Sequence, residues 1–148
     1  MFFEDFPIGH SYVTSSFSLS EEEIIGFARA HDPQPFHTDP EAARQSPYGG
    51  IIASGFQTMI EAFKRTLAEG GWAEASMGSP GMEEVRWVRP VRPGEVLHVV
   101  AEVIDARPSQ SKPDRGFTKV RYDVLTEDGA LAMSYTSTHI FRRRPVEA

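Results

Sequence analysis

The 148-residue chain has no cysteine, which excludes disulfides and thiolate metal sites and fits a reducing, cytoplasmic setting. It also lacks any apolar run near the roughly 20 residues that span a bilayer. Its first residues, Met1-Phe2-Phe3-Glu4-Asp5, carry neither the basic region nor the long apolar stretch of a secretory signal, so a soluble protein is expected. Basic excess is missing as well. A formal net charge of −6 argues against nonspecific nucleic-acid binding, which needs cations to displace the counterions of phosphates. No repeat, low-complexity tract or linker interrupts the chain. No Gly-x-Ser-x-Gly elbow or Gly-rich phosphate loop is present, so serine esterase, kinase and dinucleotide-binding readings have no support.

At 40% hydrophobic residues, the length suits one domain over residues 1–148 with its own core. Residues 10–19 alternate around Val13, Phe17 and Leu19 and predict a strand. Ser20 followed by Glu21-Glu22-Glu23 is a capping box, which makes these acids structural, and the helix it opens ends near His31. Thr38 or Asp39, with Pro40 in the first turn, opens a short helix. From Ser54 to about Glu69, Phe56, Met59, Ile60, Phe63 and Leu67 recur three and four apart. They predict a long helix with that stripe against a sheet and Gln57, Glu61, Lys64 and Arg65 on its other sides.

Beyond Gly81 the period becomes alternating, with strands expected near 82–89, 95–107, 117–126 and 131–142. Val96 to Ile104 is apolar on both faces, which points to a central strand, and Glu127-Asp128-Gly129-Ala130 reads as a hairpin turn. The segment from Pro108 to Gly116 reads as a long loop near a pocket mouth or partner. Helices early and strands late give an α+β class, an antiparallel sheet packed on a long helix.

The stretch that carries chemistry is Asp32-Pro33-Gln34-Pro35-Phe36-His37. Its prolines exclude a helix by the usual rules and make a stiff connector that presents an acid, a carboxamide and an imidazole within six residues. If the connector arches, Asp32 and His37 converge on one water, with Gln34 beside them, a standard general acid/base arrangement. Asp39 reads as a helix cap, and Tyr48, beside the Ser46-Pro47-Tyr48-Gly49-Gly50 turn, is a candidate pocket wall. His31, His37 and Asp39 show no recognisable ligand spacing, so neither metal nor cofactor is expected.

This order of Asp, carboxamide, Pro, apolar residue and His, then Asp39-Pro40 and a Gly heading a long helix, resembles the MaoC-like (R)-specific enoyl-CoA hydratases. The segment Arg86-Trp87-Val88-Arg89-Pro90-Val91-Arg92-Pro93-Gly94 resembles theirs too. The resemblance implies a hot dog fold, a homodimer or higher homo-oligomer, an acyl-CoA thioester substrate in fatty acid metabolism, and Asp32 with His37 as the catalytic pair. The Gly55 amide, unpaired at a helix start, then suits a thioester oxygen becoming an enolate, with Gly admitting that oxygen to the backbone. Gln34, Ser54 and Tyr48 are the expected substrate contacts. Family members often have Asn where this chain has Gln34 and His where it has Ser54. A hot dog thioesterase and a non-catalytic acyl-thioester binding module remain as alternatives. Anionic coenzyme A calls for a basic patch, with Arg86, Arg89, Arg92, Lys112, Arg115 and Arg142-Arg143-Arg144 as candidates.

Overall fold

The computed structural model describes residues 1–146. After a 3-10 turn at Phe3–Asp5 come β1 (Ser11–Val13), α1 (Glu21–His31), α2 (Pro35–Thr38), α3 (Pro40–Gln45) and α4 (Gly55–Glu69). Four longer strands follow: β2 (Gly81–Trp87), β3 (Leu97–Pro108), β4 (Arg115–Thr126) and β5 (Leu131–Arg142). All strands join one antiparallel sheet in the order β1-β3-β4-β5-β2. The α+β class expected from the sequence is therefore observed.

Local signals explain most element ends. Ser20 Oγ accepts from the Glu23 amide while Glu23 reaches back to the Ser20 amide, each at 3.1 Å, so the capping box forms. Asp39 caps α3 by accepting from the amides of Glu41 and Ala42, with Pro40 in the first turn. β4 alternates as expected, burying Val120, Tyr122 and Val124. The expected first strand is shorter: only Ser11–Val13 pair continuously with β3, and Phe17 adds an isolated bridge to Leu97.

Three expectations are corrected. β3 is an interior strand, between β1 and β4, but it is not buried on both faces: Leu97, Val99, Ala101 and Val103 are buried while Ile104 is exposed, because only one face of the sheet meets the core. The β3–β4 ladder runs out to Pro108 opposite Gly116, so the connection there is shorter than a long loop. The third concerns α4. Its buried residues are Gln57, Thr58, Ala62 and Thr66, whereas Phe56, Ile60, Phe63 and Leu67 are exposed, Phe56 at 59%. Thr58, Ala62 and Thr66 recur every fourth residue, and their small side chains let the helix lie close to β3. Gln57 tolerates burial because its amide nitrogen donates to the Glu23 carbonyl at 3.1 Å, tying α4 to α1. Met59 packs against the core, while the rest of the apolar stripe faces away from the sheet.

At the other end of α4 the core contains a polar cluster. The Tyr122 hydroxyl lies 2.8 Å from His139 Nε2, and the Trp72 ring packs tilted against that imidazole with centroids 4.6 Å apart. Among the described residues, the buried Tyr12 and Tyr135 hydroxyls, Trp72 Nε1 and Thr118 Oγ1 have no hydrogen-bond partner. Burial disfavours the imidazolium and drives His139 down to about 4 from 6.5.

The folded protein thus resists a proton that the unfolded chain accepts, so stability falls as pH drops through 6.5 and levels off below about 4. This histidine should remove about 3 kcal/mol across that window. Urea unfolding at a series of pH values checks it. A His139→Phe variant should lose most of that acid slope, whatever its stability at neutral pH.

Candidate functional site

Asp32 ends α1. It stands at the helix C-cap, its amide donating to the Ala28 carbonyl at 2.8 Å, and Pro33 prevents another helical turn. The expectation that the Asp32–His37 connector holds no helix is overturned, since Pro35–Thr38 form one turn, α2. Pro35 occupies its first position, where no amide is needed and the fixed φ already suits a helix. That turn supplies the arch. Five extended residues would span about 17 Å, yet His37 Nε2 comes within 3.3 Å of Asp32 Oδ2.

His37 is buried, and its Nδ1 lies 2.7 Å from the Ile52 carbonyl. A carbonyl only accepts, so Nδ1 carries the proton and donates. In the neutral ring Nε2 is therefore bare. Ile52 is held in turn: its amide donates to the Phe36 carbonyl at 3.3 Å, and the next residue, Ala53, donates to the Val91 carbonyl at 2.8 Å.

Both oxygens of Asp32 accept from side chains. Gln34 Nε2 donates to Oδ1 and Ser54 Oγ donates to Oδ2, each at 2.7 Å. Burial raises the Asp32 carboxyl, but donation from Gln34 and Ser54 and the charge of His37 outweigh it, so the carboxyl titrates below the ordinary aspartate range. Ser54 is fully buried at the N-cap of α4 yet makes no side-chain cap bond.

Asp32, Gln34, His37, Tyr48 and Gly55 all line a single cavity of about 490 Å³, with Trp87 and Arg89 among its other walls. Ser54 stands behind it, touching Asp32. Among the described residues the Gly55 amide takes part in no hydrogen bond outside the helix, as expected at a helix start. The side of Gly55 where a side chain would project is filled: a Cβ there would fall 2.3 Å from Trp87 Nε1 and 2.5 Å from its Cε2. Glycine at 55 thus leaves the room that the indole occupies. Trp87 also meets Phe56 edge to face with centroids 5.7 Å apart, and Tyr48 meets Phe36 likewise at 5.2 Å.

The sequence reading missed Trp87 and the Ile52 carbonyl. Trp87 lies in the Arg86–Gly94 segment that carries part of the resemblance; no side-chain signal marks a backbone carbonyl. Of the candidate cations, Arg89 reaches the cavity, paired with Glu95 at 3.1 Å, and Arg92 donates to the Tyr48 carbonyl at 2.7 Å. Arg86, Arg115, Arg143 and Arg144 pair with Glu84, Asp114, Glu4 and Asp5 and do not line it. Nor does any residue between Pro108 and Gly116. Among the described residues, no group of three or more acidic or histidine side chains is placed to hold a metal, and no helix is long and apolar enough to cross a membrane.

Comparison with known proteins places the chain in a family. The chain is similar to a crystal structure of a MaoC-like dehydratase from Rhodospirillum rubrum, with a TM-score of 0.92 and 35% identity covering 99% of each chain. It is 34% identical to the uncharacterized protein YdeM of Bacillus subtilis over 109 residues, 74% of this chain and 77% of that one. A 3-hydroxybutyryl-CoA dehydratase of Methylorubrum extorquens is 26% identical over 132 residues, 87% of this chain and 80% of its own. The sheet-and-helix arrangement is the hot dog fold. The MaoC like domain model matches residues 5–126, and the chain belongs to that family.

Proposed function

We propose that the chain, acting as one hot dog domain in the cytoplasm, reversibly hydrates a trans-2-enoyl thioester to an (R)-3-hydroxyacyl thioester, with coenzyme A as carrier. The observation that carries this reading is the convergence of the Asp32 carboxylate and His37 Nε2, on a ring whose Nδ1 is committed to the Ile52 carbonyl, on one wall of the cavity. With the imidazole neutral both are acceptors, and a water has two protons to offer them. Asp32 and His37 hold that water as its oxygen attacks C3, and one proton returns to C2. The negative charge that develops on the thioester oxygen is met by the Gly55 amide at the positive end of α4, a donor worth about 3 to 4 kcal/mol in such sites. Trp87 covers one side of Gly55, so that oxygen arrives from the open side. Gln34 and Ser54 serve the reaction through Asp32, and Tyr48 borders the acyl group. The resemblance to a dehydratase and to a 3-hydroxybutyryl-CoA dehydratase supports the reaction type and the carrier; the (R) configuration follows the family pattern.

A homodimer belongs to the same proposal. Phe56, Ile60, Phe63 and Leu67 form an exposed apolar stripe on α4, joined near the cavity by exposed Trp87 and Val88. A contiguous apolar surface of this kind is uncommon on a monomer. Among the described residues no strand pairs with the outer side of β2, an edge strand and a further place for a second copy to add.

With crotonyl-CoA, the purified protein should remove the enoyl absorbance without releasing free thiol, and Asp32→Asn should lower turnover by roughly 10² to 10⁴ while leaving the circular dichroism unchanged. Normal turnover in that variant sinks the assignment, and thiol release instead of hydration identifies a thioesterase. Sedimentation velocity should find a dimer for the natural chain and a monomer for the Ile60→Glu, Phe63→Glu double variant. A natural chain that sediments as a monomer at every concentration rules the dimer out.

A further inference from the structure

We infer that Ser54 is a positioning residue: together with Gln34 it holds Asp32 as a fixed anion, which leaves His37 Nε2 as the group that moves the proton. This rests on the hydration reading above and divides the labour within its site.

A serine at a helix N-cap ordinarily accepts a hydrogen bond from the amide two or three residues on. Ser54 does not; its hydroxyl, fully buried, donates to Asp32 Oδ2 at 2.7 Å. Gln34 Nε2 takes the other oxygen at the same distance. Two donors on two oxygens fix the plane of the carboxylate, and both reward the ionised form, because a protonated carboxyl offers a poorer acceptor to each. The other charged and titratable groups around the cavity do not reverse this. His37 from α2 adds a favourable positive charge when protonated, Arg89 is engaged with Glu95, the Tyr48 ring meets Phe36 on the cavity wall, and His31, beside Asp32 but outside the lining, packs against Phe27 with ring centroids 4.8 Å apart.

His37 is built for the opposite behaviour. Its Nδ1 proton is committed to the Ile52 carbonyl in either charge state, so only Nε2 gains and loses a proton. In hydration, Nε2 takes one proton from water as the oxygen bonds to C3. The C2–C3 π pair moves toward C1, and the thioester oxygen becomes the enolate oxygen. The enolate then reforms the carbonyl and takes the Nε2 proton at C2, returning His37 to neutrality. The water's second proton stays on the new hydroxyl, directed at Asp32. Atoms and charge balance with no further reactant, and both hydrogens enter from the same wall.

The test follows the carboxyl of Asp32 directly, by ¹³C NMR titration of the natural chain and of Ser54→Ala, Ser54→Thr and Gln34→Met. The natural chain should titrate below the ordinary aspartate range. Ser54→Ala should raise the midpoint by roughly one pH unit. Gln34→Met should raise it less, since water can replace that exposed donor, and Ser54→Thr, which keeps the hydroxyl, should restore it. An unmoved midpoint in Ser54→Ala overturns the proposal. Kinetically, the acid limb of kcat/KM for crotonyl-CoA should follow the His37 midpoint read from imidazole NMR; a limb that follows Asp32 instead overturns the division of roles. The NMR arm needs no turnover, so a chain that hydrates nothing refutes the functional reading without deciding the clamp, which the titration decides by itself.

Discussion

The hydrogen bond from His37 Nδ1 to the Ile52 carbonyl is the constraint on which the site depends. It is made in buried surroundings, where an unmet donor or acceptor costs about 1 to 3 kcal/mol, so the ring is held in one tautomer and one orientation. Everything that places the Ile52 carbonyl therefore places Nε2. That carbonyl lies in the segment before α4, which is laced to Phe36 on one side and to Val91 on the other. A buried amide from α4, Gln57, then binds the Glu23 carbonyl of α1, the helix whose far end carries Asp32. The acid and the imidazole thus come from neighbouring turns whose relative position is fixed by backbone bonds, which is what a geometry-sensitive proton transfer requires.

α4 serves the site and the sheet with different residues. Close approach to β3 demands small side chains, and Thr58, Ala62 and Thr66 supply them. The large apolar residues are left for the outer face. Hydrophobic periodicity reports that a helix has an apolar side; it does not say whether that side meets the chain's own sheet or something else. The misplacement of Phe56, Ile60, Phe63 and Leu67 by sequence reasoning follows from that ambiguity, and it was resolvable only by noting that the complementary side also carried a run of small residues at fourth positions.

Other elements were legible because their causes are local. The Ser20–Glu23 box, the Asp39 cap, the alternation through Val120, Tyr122 and Val124 and the turn around Gly129 each depend on a few adjacent residues. Asp32, Gln34 and His37 stood out because prolines made their segment stiff, although the same rule hid α2, since Pro35 at a first helical position starts a turn as readily as it breaks one. Nonlocal features stayed hidden. The indole of Trp87 against Gly55 joins residues on different elements, and the cluster of Tyr12, Trp72, Thr118, Tyr122, Tyr135 and His139 assembles only when the sheet brings its strands together. Gly55 shows how a residue singled out for one reason can have another: open backbone suits an approaching oxygen, yet the space where a Cβ would stand belongs to Trp87.

Phe56 and Trp87 belong at once to the cavity wall and to the exposed apolar surface, Trp87 at 47% exposure. In the proposed dimer, a partner seated on the α4 stripe would withdraw these two residues from water and with them one side of the cavity. The charges that matter to the proposed hydration, on Asp32 and on an enolate oxygen at Gly55, would then lie in a medium that screens them less, so the same hydrogen bonds would act more strongly. Asp32 gains least from such drying, because two side-chain donors already replace its water. The enolate, which has no counterpart before the reaction begins, gains most. Covering the apolar face is therefore expected to favour the transition state over the resting site, which couples assembly to chemistry through solvent exclusion without moving any catalytic atom.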